Sequence, residues 1–509
     1  MMLMRLTGSR QHIRTRSALL APATLNGARV AACNGKESQL MEAGRPVGTA
    51  AELDLAGLHP ALDDPALESM NFLNEVASRY PEAVSFASGR PCEEFFDIAL
   101  IHRYIDSFCD YLRNELGYAE SRLGQALFQY GRTKGIVHEL VARHLAVDEG
   151  IHVDPEAVVV TVGCQEAMFI VLRALRRDDR DVLLAVSPTY VGLTGAARLV
   201  DMPVWPVRSG QSGVDLGDLA KQAARARAAG LRPRACYVMP DFANPSGACL
   251  STELRQRLLE VAGQEDLLLL EDNPYGTFGD GTRLPTLKAL DTGRRVVYLG
   301  SFAKTGFPGA RVGYAVADQR VMAGDGTVSL LADELSKIKS MVSVNTSPVA
   351  QAVVGGKLVA NGCSVIRANV RETAVYASNL RQVLSGLARR FPAAAPSAAP
   401  AVPVASAAPA SPAAGLSWNA PSGGFFAVVS LPFAADDGLL EYSAREHGVL
   451  WTPMSHFYGA GGGMHQVRLA FSQLTPDRIE VGLDRFAALV ADVRNASPGF
   501  PSAATASSA

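Results

Sequence analysis

From residue 157 to residue 299, short unbroken apolar runs alternate with longer stretches whose apolar positions recur at helical spacing. The runs are Ala157–Thr161, Asp181–Val186, Pro203–Val207, Ala235–Met239, Leu267–Asp272 and Arg295–Leu299. Runs of this kind suit strands covered on both faces, and their alternation with helices predicts an α/β fold with a mainly parallel sheet. Such sheets bind ligands beyond the carboxyl ends of their strands, so the residues that follow each run are the candidates for chemistry.

Ahead of this region the spacing predicts a helix over 66–73 and a short strand at 83–87 that ends in the turn Ser88-Gly89-Arg90-Pro91. Helices are predicted over 98–116 and 134–145. Beyond it, helices are predicted over 328–345 and 365–388, and strands over 425–431 and 466–471 around a helix at 436–447. Residues 1–65 lack sustained periodicity and are expected to be a disordered extension. Residues 392–416 are almost entirely Ala, Pro, Ser and Val, an insertion that cannot bury a core of its own. The tail 496–509 is small and polar. The expected organisation is an N-terminal segment (66–125) lining the cleft, a large domain (126–335) and a smaller α+β domain (336–495).

Composition removes several classes of function. The chain has 509 residues, 48% hydrophobic and 19% charged, with a net charge of -2. That balance gives no reason to expect nucleic acid or an anionic membrane surface as partner. No apolar run is long enough to predict a membrane span. The cysteines (33, 92, 109, 164, 236, 249 and 363) are odd in number and lack C-x-x-C spacing. They argue against a disulfide framework or a metal site and for a reducing, cytoplasmic setting. The first 36 residues hold no acid and several arginines, the composition of a transit peptide. Their Ala, Arg, Gly and Pro usage favours an extension read from an early start codon in a GC-rich bacterial gene.

The strand ends carry the chemistry. After Leu299 comes Gly300-Ser301-Phe302-Ala303-Lys304-Thr305-Gly306, and then Arg311. An amine in such a setting can be desolvated and held partly neutral, as a Schiff-base lysine requires. The Ser301 hydroxyl and the Arg311 fork both suit a phosphate. Gly163-Cys164-Gln165-Glu166 opens an apolar helix, whose first N–H groups attract anions. Asp272 ends an apolar run, where a buried carboxylate needs a cationic partner. Arg468 lies inside the apolar strand Gln466–Phe471 and calls for a carboxylate. Tyr190 and Asn244 are, by themselves, as well explained by core packing and an Asn-Pro turn.

In this order and spacing, Gly163, Tyr190, Asn244, Asp272, Lys304, Arg311 and Arg468 resemble the fold-type I pyridoxal-phosphate enzymes of the class I/II aminotransferase family. The resemblance implies an α/β fold with a large, seven-stranded, mainly parallel sheet and pyridoxal 5'-phosphate as cofactor. It implies Lys304 as the catalytic lysine and Asp272 at the ring nitrogen. Tyr190 would stack on the ring, with Asn244 and Tyr275 at its phenolic oxygen. Gly163, Cys164, Gln165, Ser301 and Arg311 would hold the phosphate. Tyr130 would reach the phosphate of a neighbouring subunit in a homodimer. Arg468, Gly89 and Asn244 would face the substrate, and Ser422-Gly423-Gly424-Phe425-Phe426 matches a cleft motif. Cys164 and Glu166 depart from the family's Gly-Ser-Gln-Gln-Ala, and Asp241 has no counterpart to explain it.

The implied reaction moves an amino group between an L-amino acid and a 2-oxo acid by a ping-pong mechanism. Residues 71–75, 86–97 and 128–135 resemble bacterial aminotransferases that make arylglycines such as (hydroxy)phenylglycine for peptide antibiotics. The alternatives are an aminoadipate, aromatic or branched-chain aminotransferase of primary metabolism, or an oxidase, lyase or cyclase on the same scaffold. A regulator fused to a winged-helix domain is disfavoured, because residues 1–65 show no paired-helix pattern.

Overall fold

The computed structural model describes residues 53–64, 67, 75–210, 213–279, 281, 283–392, 394, 415–459 and 461–495. The described residues fall into two units, 53–58 and those from His59 onward. In the first, Leu55–Gly57 is a 3-10 turn capped by the Asp54 carboxylate. In the second, Pro60–Asp63 forms another such turn. The helix expected over 66–73 lies outside the described residues apart from position 67, and so does nearly all of the Ala/Pro insertion.

The second unit is built on a seven-stranded sheet. Its strands are β1 (Val158–Val162), β2 (Asp181–Ser187), β3 (Val204–Arg208), β4 (Arg232–Val238), β5 (Leu268–Asp272), β6 (Val296–Ser301) and β7 (Val312–Val316). Their spatial order is β1-β7-β6-β5-β4-β2-β3. The pairs from β3 across to β6 are parallel, and β7 runs antiparallel to both neighbours. Six of these strands match the predicted runs within a few residues. The seventh, β7, begins directly after Arg311, in a stretch that reads first as the tail of the lysine motif. Helices cover both faces, so the strands carry apolar residues on both sides: β7 is buried along its whole length.

The helix Ile98–Asn114 forms as predicted. The helix predicted over 134–145 is shorter, His138–His144, and continues as a π turn to Glu149 that Gly150 closes in the left-handed region. Helices Glu120–Phe128 and Pro348–Ala360 add to the predicted set. The second is buried without a break from Gln351 to Leu358, so it has no polar stripe to betray a period. It packs most densely on Ile98–Asn114. Gly356 allows that approach, since a Cβ there would strike the Tyr104 backbone. The helix predicted over 365–388 is broken at Asn369 into Val365–Ala368 and Val370–Arg390.

A four-stranded sheet, in the order Ser417–Trp418, Phe426–Ser430, Gln466–Ala470 and Thr452–Pro453, has its own core. Trp418 and Trp451 fill it beneath the helices Val370–Arg390 and Pro476–Asn495. Each such fully buried side chain contributes about 2–3 kcal/mol. The N-terminal segment joins by one short pairing: Val84–Ser85 lies parallel to Val449–Leu450. That pairing delivers residues 85–90 to the carboxyl ends of the large sheet's strands.

Candidate active site

A cavity of about 490 Å³ opens there, walled by residues from strand ends of both sheets and from the 85–90 segment. It gathers Gly89, Cys164, Gln165, Tyr190, Asn244, Asp272, Tyr275, Ser301, Lys304, Arg311 and Arg468. Eleven positions chosen from the sequence thus meet in one place. Gly163 lies just beneath, at φ +74°, and a Cβ on it would collide with the Arg311 guanidinium. Tyr130 is not brought to the cavity; it stands on the outside, 84% exposed.

Lys304 follows β6 in a segment held from below. Phe302 is buried in the core, and the Thr305 carbonyl accepts a hydrogen bond from Lys357 Nζ at 2.6 Å. The Lys304 amine donates to the Gly89 carbonyl at 2.6 Å. Burial, reinforced by the positive charges of Arg468, Arg311 and Arg90, pushes its pKa down to about 8. Asp272 ends β5 fully enclosed. Its Oδ2 accepts from the Tyr237 hydroxyl at 2.6 Å, and the Cys164 thiol lies 3.6 Å from Oδ1. Burial pushes this carboxyl up to about 6 against the pull of those two donors and of Lys304.

Arg468 enters from the four-stranded sheet. Its Nη1 donates to Asn244 Oδ1 and its Nη2 to the Ala87 carbonyl, each at 2.6 Å, with Thr452 Oγ1 3.1 Å away. The Phe426 and Phe457 rings lie 4.6 and 4.9 Å from the guanidinium carbon. Its Nε is buried without a partner. Such an arginine, rigid and incompletely satisfied, is ready for an incoming carboxylate. Tyr275 packs edge-on against Phe425 and Phe426, and Tyr190 rises to about 12 through burial.

At the other end of the cavity the helix Gly163–Leu175 begins. The Gln165 side chain is taken by the Gly192 carbonyl, so this residue offers its backbone N–H alone. Among the described residues the Arg311 guanidinium has no hydrogen bond or ion pair. Ser301 Oγ accepts from Ala303 N. Two of the unexplained residues, Glu166 and Asp241, are structural. Glu166 accepts from Val162 N, Lys339 Nζ and the Ser343 hydroxyl, and so ties the turn after β1 to the helix Leu331–Val342. Asp241 forms a buried pair with Arg255. His456 is matched with Asp437 at 2.7 Å rather than facing the cavity. Sequence reasoning missed Tyr237 and Thr452. Tyr237 was visible as a lone hydroxyl in the apolar run Ala235–Met239, one strand over from Asp272.

The family profile for aminotransferase class I and II matches residues 114–486. The chain belongs to this family. It is a pyridoxal-phosphate-dependent aminotransferase of fold type I, acting between an amino acid and a 2-oxo acid. Of the aminotransferases it resembles, the (S)-3,5-dihydroxyphenylglycine transaminase of Amycolatopsis orientalis is 55% identical over 87% of this chain and 96% of its own. The alpha-aminoadipate aminotransferase of Thermus thermophilus, solved with N-(5'-phosphopyridoxyl)-L-leucine, is 27% identical with a TM-score of 0.65, over 85% and 97% of the two chains. The kynurenine aminotransferase of Pyrococcus horikoshii, solved with PMP, shares the fold at 24% identity and a TM-score of 0.69, covering 86% and 97%. The aminotransferase cavity fits this cofactor chemically. The unpartnered Arg311 and a helix N-terminus suit its phosphate, and the enclosed Asp272 suits a protonated ring nitrogen. Among the described residues no helix is long and apolar enough to cross a membrane.

Proposed function

We propose that this aminotransferase forms an arylglycine, such as a (hydroxy)phenylglycine, from the matching arylglyoxylate, as a building block for a secondary metabolite. The observation that carries this reading is the 55% identity to the dihydroxyphenylglycine transaminase along nearly its whole length. The cavity supports it: Phe426 and Phe457 stand beside Arg468, and the same cavity is lined by the small side chains of Ala77, Ser85 and Ser88.

In this reading Arg468 binds the substrate carboxylate through its fork, with Asn244 and Thr452 fixing the guanidinium. Lys304, with its amine near neutrality, takes and returns the proton at the substrate α-carbon. Asp272 would hold positive charge on the cofactor ring and Tyr190 would stack on it. Asn244 and Tyr275 would serve its phenolic oxygen, and Ser301, Arg311 and the first N–H groups of Gly163–Leu175 would hold its phosphate. When bound, the cofactor supplies an electron sink for the pair released at the α-carbon. Donor and acceptor use the same residues in turn, so ping-pong kinetics are expected.

A second reading, an aminoadipate-type enzyme of primary metabolism, is favoured by Arg90, a cation in the cavity wall that could meet an acidic side chain. A half-reaction panel separates the two. L-Phenylglycine and its hydroxylated forms should convert the cofactor absorbance faster than L-2-aminoadipate; the reverse order overturns the arylglycine reading. In Lys304→Ala the visible band that borohydride abolishes in the parent should be missing.

The proposal extends to assembly as a cytoplasmic homodimer. Phe128, Tyr130 and Met341 are at least 84% exposed, which is unusual for large apolar side chains and supports a covered face. The six described cysteines are all free, which supports a reducing compartment. The proposal keeps a large domain (126–335) and a small one (336–495); the four-stranded sheet's own core supports a distinct small domain, while Ala352, Leu358 and Val365 pack with the large sheet.

A further inference from the structure

Asp272 has two oxygens and only one of them is firmly held. Oδ2 accepts the Tyr237 hydroxyl at 2.6 Å, between two side chains that are each at most 2% exposed. Among the described residues, Oδ1 has only the Cys164 thiol, 3.6 Å away. Cys164 lines the large cavity and Tyr237 does not. The strongly held oxygen therefore points back into the sheet, towards β4, and the weakly held one lies on the cavity side. A thiol is a poor donor and yields its place cheaply, whereas a phenol bonded to a carboxylate does not.

We propose that Tyr237 is a positioning residue for the reaction: it pins Oδ2 so that Asp272 stays ionised and presents Oδ1, past the yielding thiol of Cys164, to the ring nitrogen of the cofactor. The inference rests on the reading that Asp272 faces that nitrogen. The register explains why a residue of β4 can do this. Tyr237 sits opposite Leu270 in the β4–β5 pairing, two positions before Asp272, and a tyrosine is long enough to span the step. The titratable groups facing Asp272 are Tyr237 from β4, Cys164 from the helix after β1, Tyr190 after β2, Tyr275 after β5 and Lys304 after β6. Of these, only Tyr237 donates to Asp272 at full hydrogen-bond strength.

Removing the hydroxyl favours the protonated carboxyl, so the damage should grow as pH falls. Tyr237→Phe keeps the ring and its packing. Its apoenzyme should bind pyridoxal phosphate at least about tenfold more weakly at pH 6, the scale of one hydrogen bond to a charged group. The defect should shrink at pH 8.5, and the acid limb of kcat/KM should move up by about one pH unit. In an Asp272→Asn background, Tyr237→Phe should change the cofactor Kd by less than about twofold, since no charge remains to be held. A loss of affinity equal at both pH values, or equally large in the Asp272→Asn background, overturns the proposal and leaves Tyr237 as packing. An Asp272→Asn enzyme that binds cofactor as tightly as the parent overturns instead the reading of Asp272 beneath it. Should Tyr237→Phe not fold, the same titrations on Tyr237→Leu separate the same outcomes.

Discussion

Two buried groups in this cavity are displaced in opposite directions. Asp272 is raised from 3.8 to about 6 and Lys304 lowered from 10.5 to about 8, each chiefly by burial. For the apoenzyme, Asp272 contributes stability below pH 3.8 that is lost as pH rises through 6. Lys304 contributes stability above pH 10.5 that is lost as pH falls through 8. At neutral pH both are held in an unfavourable state for the sake of the site. Asp272→Asn should therefore raise the Tm of the apoenzyme at pH 7.5, by about 2–4 °C, while turnover falls by orders of magnitude. Calorimetry beside steady-state rates would check this, and a lower Tm would refute it. Arg468→Lys keeps the charge but loses the planar fork. Its KM for the amino donor should rise about 100-fold with the cofactor spectrum unchanged. The lysine, the carboxylate and the arginine were legible because charged groups at the ends of apolar strands need explaining. Tyr237 and Thr452 were not, because a hydroxyl among apolar residues passes for ordinary core.

At the scale of elements, the helix Gly163–Leu175 matters most, since its first turn faces the cationic end of the cavity, where Arg311 stands. Its apolar face is packed in the main core, and its first turn is tied down by Glu166, which reaches Val162 N, Lys339 and Ser343 at once. Lys339 is fully buried, so taking away its partner's charge is costly. Glu166→Gln should destabilise the protein by about 3–5 kcal/mol in urea titrations and weaken cofactor binding as the turn loosens. An unchanged midpoint would show that Lys339 finds another partner. The sequence showed Glu166 only as a departure from the motif, because its partner lies 173 positions away. The same limit hid Pro348–Ala360: a helix buried on every side loses the polar stripe on which periodicity depends. Strand β7 was missed for another reason, since its residues Val312–Val316 sit so close to Arg311 that motif and strand overlap.

For the whole molecule, the α/β architecture and the mainly parallel sheet followed from the alternation of runs, and the antiparallel β7 did not. Tyr130 is the position that one chain leaves unexplained. If it serves the neighbour's phosphate, mixed dimers reveal it. A Tyr130→Phe subunit paired with a Lys304→Ala subunit receives an intact Tyr130 beside its own intact Lys304. Such dimers should bind cofactor at that site as tightly as the parent, while Tyr130→Phe homodimers bind it several-fold more weakly. Equal affinity in both would place Tyr130 outside the site.

The short pairing of Val84–Ser85 with Val449–Leu450 has one more effect. Just beyond it, Ala87 gives its carbonyl to Arg468, the substrate's grip in the proposed reading, and Gly89 gives its own to Lys304, the proposed base. Grip and base thus share a single strip of backbone, like two levers on one axle. Evolution can reshape the aromatic walls freely to change the side chain accepted. It cannot slide this strip to fit a new substrate without resetting the proton-transfer step as well.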